Sequence, residues 1–496
     1  MVEMGYSSEY EIYLTKKNGV QIVINNLSLT ILKEMRRHEV SPSEIAMMLD
    51  VPKSTIQGNI GKLLRMGIVS QDVRIDDARS AVYHIDALLM FSSDTDVEWQ
   101  LYARSASVNR IMKHGKCTSR EDLALYGVSL TESGLNIMHG LMSVGAALTR
   151  KTDDSELMKK MLDTMEAQAR DNGISLEFKT DHGLTLKFDS RTEDISDVPL
   201  VIVPMIGAII SHSKQIMDYN LAHEISLSVS DNGHHVEMHV PPYEGQDYDS
   251  NIKVPRTKKA FRVSEPFSIY TVGGKATLFT NPTMMTVLDC LFMSDYTLNE
   301  LEEISLLPKA TIYAAISKLV NMGAVATKKE TGSMMKYTLL ADPILYITEA
   351  DEHDLKKIEN IIDCFQKGEM DYYVSVISFA MEAIDCMGIH FDKMFFRAGR
   401  NAAISVLESN KDIQPQEFVE LACSMVTIPD LARIKTYIPI CLEVTLSKST
   451  LWGSWPGYFV MGFVSEGLNH LLGGGYKATV VVRREDQDTP IAVLES

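Results

Sequence analysis

Three patterns that would place a protein in a familiar class are missing from this 496-residue chain. The six cysteines form no C-x-x-C pair, which predicts reduced thiols rather than a disulfide framework. Residues 198–210 form the most apolar stretch, but they include Pro204 and are too few to span a bilayer. The first 13 residues carry charges and no apolar run, so they do not form a secretory signal. The sequence therefore predicts a cytoplasmic protein without a membrane span.

Basic charge and catalytic motifs are also scarce. The 48 Lys and Arg residues are outnumbered by 66 Asp and Glu residues, and the net charge of −18 disfavours a general polyanion binder. The chain has no Gly-rich phosphate loop, no H-E-x-x-H run and no Ser-His-Asp order. The glycine triplet at residues 473–475 follows a predicted helix instead of opening one, so it does not predict a phosphate cradle. We therefore predict that the protein is not an enzyme and needs no cofactor.

What the chain does contain is a long repeat. The segment VPKSTI at residues 51–56 recurs as LPKATI at residues 307–312, and KLLRMGIV at residues 62–69 recurs as KLVNMGAV at residues 318–325. Each block recurs 256 residues later in the chain, so the two copies align without a gap between the blocks. A period this long is not that of a solenoid. It predicts two copies of a whole module, so that one chain can act as its own pseudo-dimer.

Each copy begins with the same two predicted elements. Alternating segments around Asn18-Gly19, and again around Gly273-Gly274, predict a β-hairpin. A first amphipathic helix follows at residues 27–38 and has a counterpart in the second copy. The copies therefore agree in their local patterns as well as in their matched letters.

The second and third helices are predicted from their ends. Ser41 with Glu44, and Thr297 with Glu300, form the capping boxes that begin a second helix. A turn at the repeated proline leads to the third helix, which a glycine ends in each copy. Two strands with a charged turn come last, at residues 68–75 and 81–85 in the first copy and at residues 324–329 and 336–340 in the second.

Helix, helix, turn, helix and a two-stranded ribbon is the order of the winged helix-turn-helix. Each copy resembles the winged-helix domains of prokaryotic transcription regulators, particularly those whose turn is L-P-K-S-T followed by a hydrophobic residue. This resemblance covers roughly 65 residues per copy and implies that the module binds double-stranded DNA.

A second resemblance concerns the segment behind the second winged helix. Residues 455–468, WPGYFVMGFVSEGL, lead through the glycine triplet into a predicted strand, and this order resembles the end of 4-vinyl-reductase-like ligand-sensing domains. The helix that contains Ala398-Gly399-Arg400 would match an earlier helix of that family. The cysteines typical of the family's final hairpin are absent at residues 484–488, so the resemblance implies no metal or redox role here.

We therefore predict an α+β protein built by tandem duplication, in which each half is a winged helix-turn-helix domain followed by an α/β sensor-like domain. The first winged helix, with its N-terminal hairpin, is expected to span residues 1–90, and the first α/β domain residues 91–262. The second hairpin and winged helix are expected at residues 263–346, and the second α/β domain at residues 347–496. The protein is expected to be a monomeric pseudo-dimer or a homodimer.

The third helix of each copy should present polar side chains to base edges and cations to phosphates. Residues 56, 60 and 63 are apolar and predict the inward face, and exposed glycines on the other face favour close approach of a partner, since each costs about 1 kcal/mol against alanine. The predicted DNA-binding residues, with the cations of the wings, are Lys53, Ser54, Thr55, Gln57, Lys62, Arg65, Arg74, Arg79, Lys309, Thr311, Tyr313, Ser317, Lys318, Lys328, Lys329 and Lys336.

The same helices could instead contact proteins. Residues 27–86 contain eight basic and eight acidic residues, and residues 282–342 contain five and seven, so neither module is strongly basic. The leading hypothesis is a transcription regulator whose winged helices dock in successive major grooves roughly 34 Å apart, on two unlike half-sites. The alternative is a non-enzymatic scaffold protein that uses its winged helices for protein–protein contacts.

A pocket for a small apolar ligand is predicted in the second α/β domain. Glycines beside large aromatics in residues 395–400 and 452–464 are expected to leave room between two helices. Arg397 or Arg400 would bind a carboxylate or phosphate of the ligand. The predicted pocket residues are Phe396, Arg397, Arg400, Trp455, Tyr458 and Phe459. The alternatives are core packing for the aromatic residues and an exposed structural role for each arginine.

No metal site is predicted. Cys386 and His390 lie close in sequence, with Cys364 and Cys423 as further candidates, but no second close pair completes a tetrahedral site. Cysteines on apolar helix faces are usually core residues. The two histidines at residues 234–235 stand beside an Asn-Gly pair, which predicts a solvated hairpin turn rather than a pair of ligands.

Overall fold

The computed structural model is α+β. It describes residues 9–93 without 16–17, 37–39 and 74–80; parts of 106–127 and 163–170; 173–199 without 180–183; 226–240; 266–348 without 294 and 330–334; parts of 360–378; 388–425 without 391; 432–445 without 438–439; 455–473; 477–479; and 491–495. Every helix in that part of the chain is too short or too polar to span a lipid bilayer.

Helices and strands are numbered in chain order. The helices are α1 (Asn26–Met35), α2 (Pro42–Leu49), α3 (Lys53–Met66), α4 (Pro282–Met293), α5 (Leu298–Ser305), α6 (Lys309–Asn321), α7 (Asp392–Ser409), α8 (Pro415–Ser424) and α9 (Trp455–Leu472). The strands are β1 (Glu11–Thr15), β2 (Gly19–Val23), β3 (Val69–Val73), β4 (Ala81–Ile85), β5 (Leu88–Ser92), β6 (Ile174–Lys179), β7 (Leu184–Ser190), β8 (Ser226–Val229), β9 (His235–Val240), β10 (Phe267–Val272), β11 (Lys275–Phe279), β12 (Tyr296–Thr297), β13 (Val325–Lys329), β14 (Met335–Leu339), β15 (Asp342–Ile347), β16 (Ile389–His390), β17 (Ala432–Tyr437), β18 (Ile440–Thr445), β19 (Lys477–Thr479) and β20 (Ile491–Glu495).

Residues 9–93 form what we call the first trihelical unit, in which α1, α2 and α3 pack around one apolar core. Ile56, Ile60 and Leu63 lie on the inner face of α3 and are fully buried, as their helical spacing predicted. They pack in one cluster with Leu32 of α1 and Ile45 of α2. Burying one such aliphatic side chain contributes about 1.5–3 kcal/mol, so the core holds α3 firmly and leaves its outer face to solvent.

Residues 266–348 form the second trihelical unit, with the same elements in the same order. Ile312, Ile316 and Leu319 are buried on α6 at positions that correspond to the three inner residues of α3. In both units a hairpin is extended by a third strand, in the order β2-β1-β5 and β11-β10-β15. Strands β5 and β15 were not predicted from the sequence, because their pairing with β1 and β10 is between distant segments.

Both predicted capping boxes are confirmed, with the same geometry. The Ser41 amide donates to the Glu44 carboxylate at 2.6 Å, and the Glu44 amide donates to the Ser41 hydroxyl at 3.3 Å. The corresponding distances between Thr297 and Glu300 are 2.6 and 3.3 Å. These bonds satisfy two of the amide donors that a helix start leaves without an intrahelical partner.

In each unit the chain segment between the first and second helices pairs with a strand of the ribbon that follows the third helix. Val40 forms a single antiparallel bridge with Tyr83 of β4. In the second unit β12 pairs with β14, and Tyr296 lies opposite Tyr337. The ribbon that follows the third helix is therefore tied to the chain between the first two helices in both units.

In each unit, one residue other than glycine in the turn before the third helix has a left-handed backbone conformation. Asp50 has φ 51° and Leu306 has φ 56°, and they are the non-glycine residues of positive φ in the described part of the chain. A short polar side chain such as that of Asp50 tolerates this conformation, whereas a leucine is strained by about 1–2 kcal/mol. Leu306 is also 88% exposed, so apolar burial does not offset the strain.

Replacing Leu306 by asparagine should therefore stabilise the protein by about 1 kcal/mol, because asparagine adopts the left-handed conformation at lower cost. Urea unfolding measures the change. The same replacement at Leu340, which is also exposed but has no positive φ, should change the unfolding free energy by less than about 0.5 kcal/mol. Equal effects at the two positions would show that backbone strain is not the cause.

The two α/β segments share one sheet topology. The antiparallel strand order is β6-β7-β9-β8 within residues 173–240 and β17-β18-β20-β19 within residues 432–495. The sequence of residues 436–446 favours a single strand, but the structure has the end of one strand and a second strand there. That region is part of a hairpin in which Tyr437 of β17 lies opposite Ile440 of β18, and the intervening Pro439 was the sequence signal that one strand had ended.

Candidate nucleic-acid interface

The outer face of α3, called the α3 face here, carries most of the residues predicted to contact DNA in the first unit. Every predicted residue of α3 is exposed, and Ile56, Ile60 and Leu63 occupy the opposite side. The α3 face therefore combines three cations with hydroxyl and amide groups, namely Lys53, Ser54, Thr55, Gln57, Lys62 and Arg65. Arg74 and Arg79, predicted in the same unit's wing, lie outside the described residues.

The centre of the α3 face is open because two of its residues are glycines. A methyl group placed on Gly58 would meet no atom within 4 Å, and one on Gly61 would meet only Arg65 Nη1, at 3.9 Å. Packing against the described residues therefore does not require either glycine. Each glycine destabilises the helix by about 1 kcal/mol relative to alanine. Without side chains at these two positions, the helix backbone is accessible to a molecule that approaches the α3 face.

The start of α3 has no side-chain cap from any described residue. Pro52 precedes the helix, and its carbonyl accepts from the amides of Thr55 and Ile56 at 2.9 and 3.2 Å. A helix start offers free amides and a partial positive charge, which together favour a phosphate oxygen. Lys53 stands at this start, so a cation and the amides can bind the same anion.

The N-terminal hairpin contacts the end of α3. The sequence predicted this hairpin but not its contact with the helix. The Asn18 side-chain amide donates to the Arg65 carbonyl at 2.8 Å. Gly67 follows at φ 76°, and a side chain there would lie 3.3 Å from the same amide. A second polar contact joins α1 to α3, where the Ser28 hydroxyl and the Asn59 side-chain oxygen are 3.0 Å apart. These bonds set the orientation of the α3 face relative to the hairpin.

The corresponding surface of α6, called the α6 face, is less polar. Tyr313 is 58% exposed, and Ala310 and Ala314 are exposed beside it. Ser317 is half-buried, and its hydroxyl donates to the Tyr313 carbonyl at 2.8 Å, so this hydroxyl already has a partner within the helix. The other predicted residues of this face, Lys309, Thr311 and Lys318, are exposed.

An acidic side chain occupies the start of α6. The Lys309 amide donates to the Glu302 carboxylate at 3.1 Å, and the Lys309 ammonium donates to the Asn299 side chain. A carboxylate at this position repels a phosphate and already uses an amide that the phosphate would need. The predicted phosphate contact at Lys309 is therefore disfavoured. The internal repeat does not reveal this difference between the two units, because Glu302 lies outside the matched blocks.

The predicted wing cations of the second unit have acidic neighbours. Lys328 is exposed, and its ammonium lies 3.6 Å from the Asp295 carboxylate. Lys336 is half-buried near Glu300, whose carboxylate pKa is lowered by hydrogen bonds from Thr297 and, to a smaller degree, by Lys336. Lys329 is exposed. Exposed ion pairs contribute only about 0–1 kcal/mol, so Lys328 can exchange partners.

The α3 and α6 faces thus differ in chemistry although corresponding helices carry them. The first presents cations and an open start, whereas the second presents a tyrosine, alanines and a start occupied by a carboxylate. No known family model, curated protein or solved structure matches the chain. The function of each face is therefore argued from its own geometry and charge.

The glycines that were expected to leave room for a ligand between α7 and α9 lie where the two helices meet closely. A methyl group on Gly399 would lie 2.0 Å from the Phe459 carbonyl oxygen, and one on Gly462 would lie 1.9 Å from the Phe396 carbonyl oxygen. The helix backbones are therefore in direct contact there. Glycine leaves room for a ligand only where the facing element stays away, and here glycines on both helices allow close packing.

The remaining residues of the predicted pocket have partners within the protein. Trp455 and Phe459 are buried, and the ring of Phe396 lies 5.4 Å from that of Phe292 on α4. Burial raises the pKa of Tyr458 well above its ordinary value. The two cations form ion pairs, Arg397 with Asp342 at 3.6 Å and Arg400 with Glu466 at 2.7 Å. Trp455 and Phe459 thus pack in the core, Phe396 and Tyr458 are half-buried, and both arginines have structural partners.

The described residues contain no group of three or more side chains that could hold a metal ion. The Nε2 atom of His390 lies 2.9 Å from the hydroxyl oxygen of Thr348. Burial raises the pKa of the Cys423 thiol to about 11, so that thiol is protonated at neutral pH. Cys386 lies outside the described residues. At the turn of residues 230–235, His235 pairs with Asp189 at 2.6 Å.

Proposed function

We propose that the two trihelical units are winged helix-turn-helix domains arranged in tandem, and that the protein is a DNA-binding transcription regulator acting as an intramolecular pseudo-dimer. The order of elements supports this proposal, since each unit contains three helices and a closing ribbon. The strand contacts of Val40 with Tyr83 and of Tyr296 with Tyr337 add the third strand that joins the wing to the chain between the first two helices. In the first unit α3 is then the element that enters the major groove.

The α3 face is the single observation that carries the nucleic-acid proposal. Its cations stand at both ends of the helix, Lys53 at the start and Lys62 with Arg65 near the end, and are placed to contact phosphates. Gln57 lies between them and can bind a base edge, because its side-chain amide has an oxygen that accepts and an NH2 group that donates. The open surface at Gly58 lets the helix backbone approach the duplex. The first unit is therefore proposed to provide the dominant DNA contact.

A binding experiment with matched variants tests the proposal. Mobility shifts of pooled mixed-sequence genomic duplexes at about 50 mM salt compare the parent with a Lys53→Ala, Lys62→Ala, Arg65→Ala triple variant. The triple variant should bind at least roughly tenfold more weakly, because three phosphate contacts are lost. The matched variant Lys309→Ala, Lys318→Ala should remain within about twofold of the parent, because Glu302 disfavours phosphate at the start of α6.

Two outcomes contradict this proposal. The first is that the parent chain shifts no duplex at that salt concentration, and the second is that the two variants lose affinity equally. The first outcome would favour the second candidate function, a scaffold protein that uses its winged helices for protein contacts. The exposed tyrosine and alanines of the α6 face, with the Glu302 carboxylate at the start of the helix, are the observation that supports that candidate.

A further inference from the structure

Large apolar side chains are exposed at the end of α5, in the turn that follows and on α6. Ile304 at the end of α5 is 51% exposed, Leu306 in the turn is 88% exposed, and Tyr313 on α6 is 58% exposed. Ala310 and Ala314 share the side of α6 that carries Tyr313, because residues three and four apart lie on one helix face. We call these five residues the docking patch.

Leu306 indicates that the docking patch has a role outside the fold. Its left-handed conformation strains the backbone, and its side chain lies almost entirely in solvent. The corresponding residue of the first unit, Asp50, has the same conformation with a polar side chain that suits it. A strained residue that also exposes apolar surface gains nothing from the folded chain, so the compensating interaction is sought in a partner.

The neighbours of the docking patch make it a poor phosphate surface. Glu302 occupies the start of α6, and the Lys309 ammonium is bound to Asn299 rather than facing an incoming anion. Glu303 is exposed one residue before Ile304. In the first unit the two corresponding positions are Ala46 and Met47, so the acidic rim belongs to the second unit alone.

We propose that the docking patch binds a basic amphipathic helix of a partner protein. The apolar side chains of that helix would cover Leu306 and Tyr313, and its lysines or arginines would pair with Glu302 and Glu303. Helices of this kind present apolar anchors at positions i, i+3, i+4 and i+7, which suits a surface made from one helix and the turn before it. The proposal goes beyond the nucleic-acid proposal and does not depend on it, because it concerns the other unit.

Fluorescence anisotropy with two synthetic peptides tests the proposal on the full chain. Both are 18-residue alanine-rich peptides with leucines at i, i+3, i+4 and i+7, and four positions on the opposite face are lysine in one and glutamate in the other. At about 150 mM salt, where long-range attraction is screened, the lysine peptide should bind and the glutamate peptide should not. The double variant Leu306→Asn, Tyr313→Gln should weaken binding of the lysine peptide at least tenfold.

The variants are chosen so that folding is not in question. Asparagine tolerates the left-handed conformation, and Tyr313→Gln introduces the residue type that the first unit has at Gln57. The control is Met47→Gln, which removes an apolar side chain that is 79% exposed on α2. It should leave peptide affinity unchanged.

Four results would overturn the docking proposal. The first is no binding of the lysine peptide, and the second is a loss of its binding in Met47→Gln as large as that in the double variant. The third is self-association in sedimentation that the double variant abolishes, which would make a second copy of this chain the occupant. The fourth is a loss of DNA binding of more than threefold in the double variant, which would assign the docking patch to DNA. Loss of DNA binding in the Lys53, Lys62 and Arg65 variant tests the α3 face separately, so failure of one proposal is distinguishable from failure of the other.

Discussion

Replacing Gly462 by alanine should destabilise the protein by about 3 kcal/mol or more, because the new methyl group would overlap the facing helix. It would lie 1.9 Å from the Phe396 carbonyl oxygen, and the reciprocal contact of Gly399 with Phe459 is equally close. The atoms met are backbone atoms of α7, which cannot rotate away as a side-chain end could. The whole of α9 must shift to relieve the overlap.

Urea unfolding followed by tryptophan fluorescence measures this effect, since Trp455 is buried on α9 itself. The matched control is Gly58→Ala on α3, where a methyl group meets no atom. That variant should be stabilised by about 1 kcal/mol, because alanine is the better helix former. If the unfolding free energy of Gly462→Ala lies within about 0.5 kcal/mol of the parent's, α7 and α9 are not in backbone contact. The space between them could then hold the predicted ligand.

Replacing Glu11 by alanine should destabilise the first unit by about 3–5 kcal/mol, because it leaves a buried arginine without its carboxylate. The Arg36 guanidinium forms an ion pair with Glu11, and both side chains are almost fully buried. It also donates to the Tyr13 hydroxyl at 2.7 Å, and that hydroxyl donates to Glu11 at 2.7 Å. Burial lowers the pKa of the Arg36 guanidinium, but Tyr13 and Glu11 raise it by more than burial lowers it. The pKa is therefore raised overall, and the arginine stays charged.

Urea unfolding again measures the effect, and two further variants interpret it. Glu9→Ala removes the partner of an exposed pair, since Lys33 lies 3.4 Å from Glu9 at the surface, and should change stability by less than about 1 kcal/mol. The double variant Glu11→Leu, Arg36→Met removes both charges and should recover most of the loss. If Glu11→Ala and Glu9→Ala have equal effects, the buried ion pair does not stabilise the unit.

The helices of the trihelical units were predictable because their signals are local. Three apolar residues at helical spacing defined the inner face of α3, and a Ser or Thr followed by Glu three residues later defined the start of α2 and of α5. The repeat raised the value of each signal, since every pattern could be checked in a second copy. Which α3 residues face outward followed from the same spacing.

Long-range contacts were not predictable in this way. Nothing local in β5 indicates that it pairs with β1, and nothing in the Gly-containing helices indicates whether a glycine faces a ligand or another backbone. The candidate interface was incompletely predicted for the same reason. Asn18 and Glu302 each act on a helix that is distant in sequence or follows a turn, so their roles depend on how the chain folds back.

The central claim is that the α3 face binds DNA through phosphate contacts, and the salt dependence of binding tests it most directly. Log affinity should fall linearly with log salt concentration for the parent chain. For the Lys53→Ala, Lys62→Ala, Arg65→Ala variant the slope should be shallower by about 2 to 3, since each lost phosphate contact removes about 0.9. Equal slopes for the two proteins, or an affinity that does not change with salt, would contradict the claim.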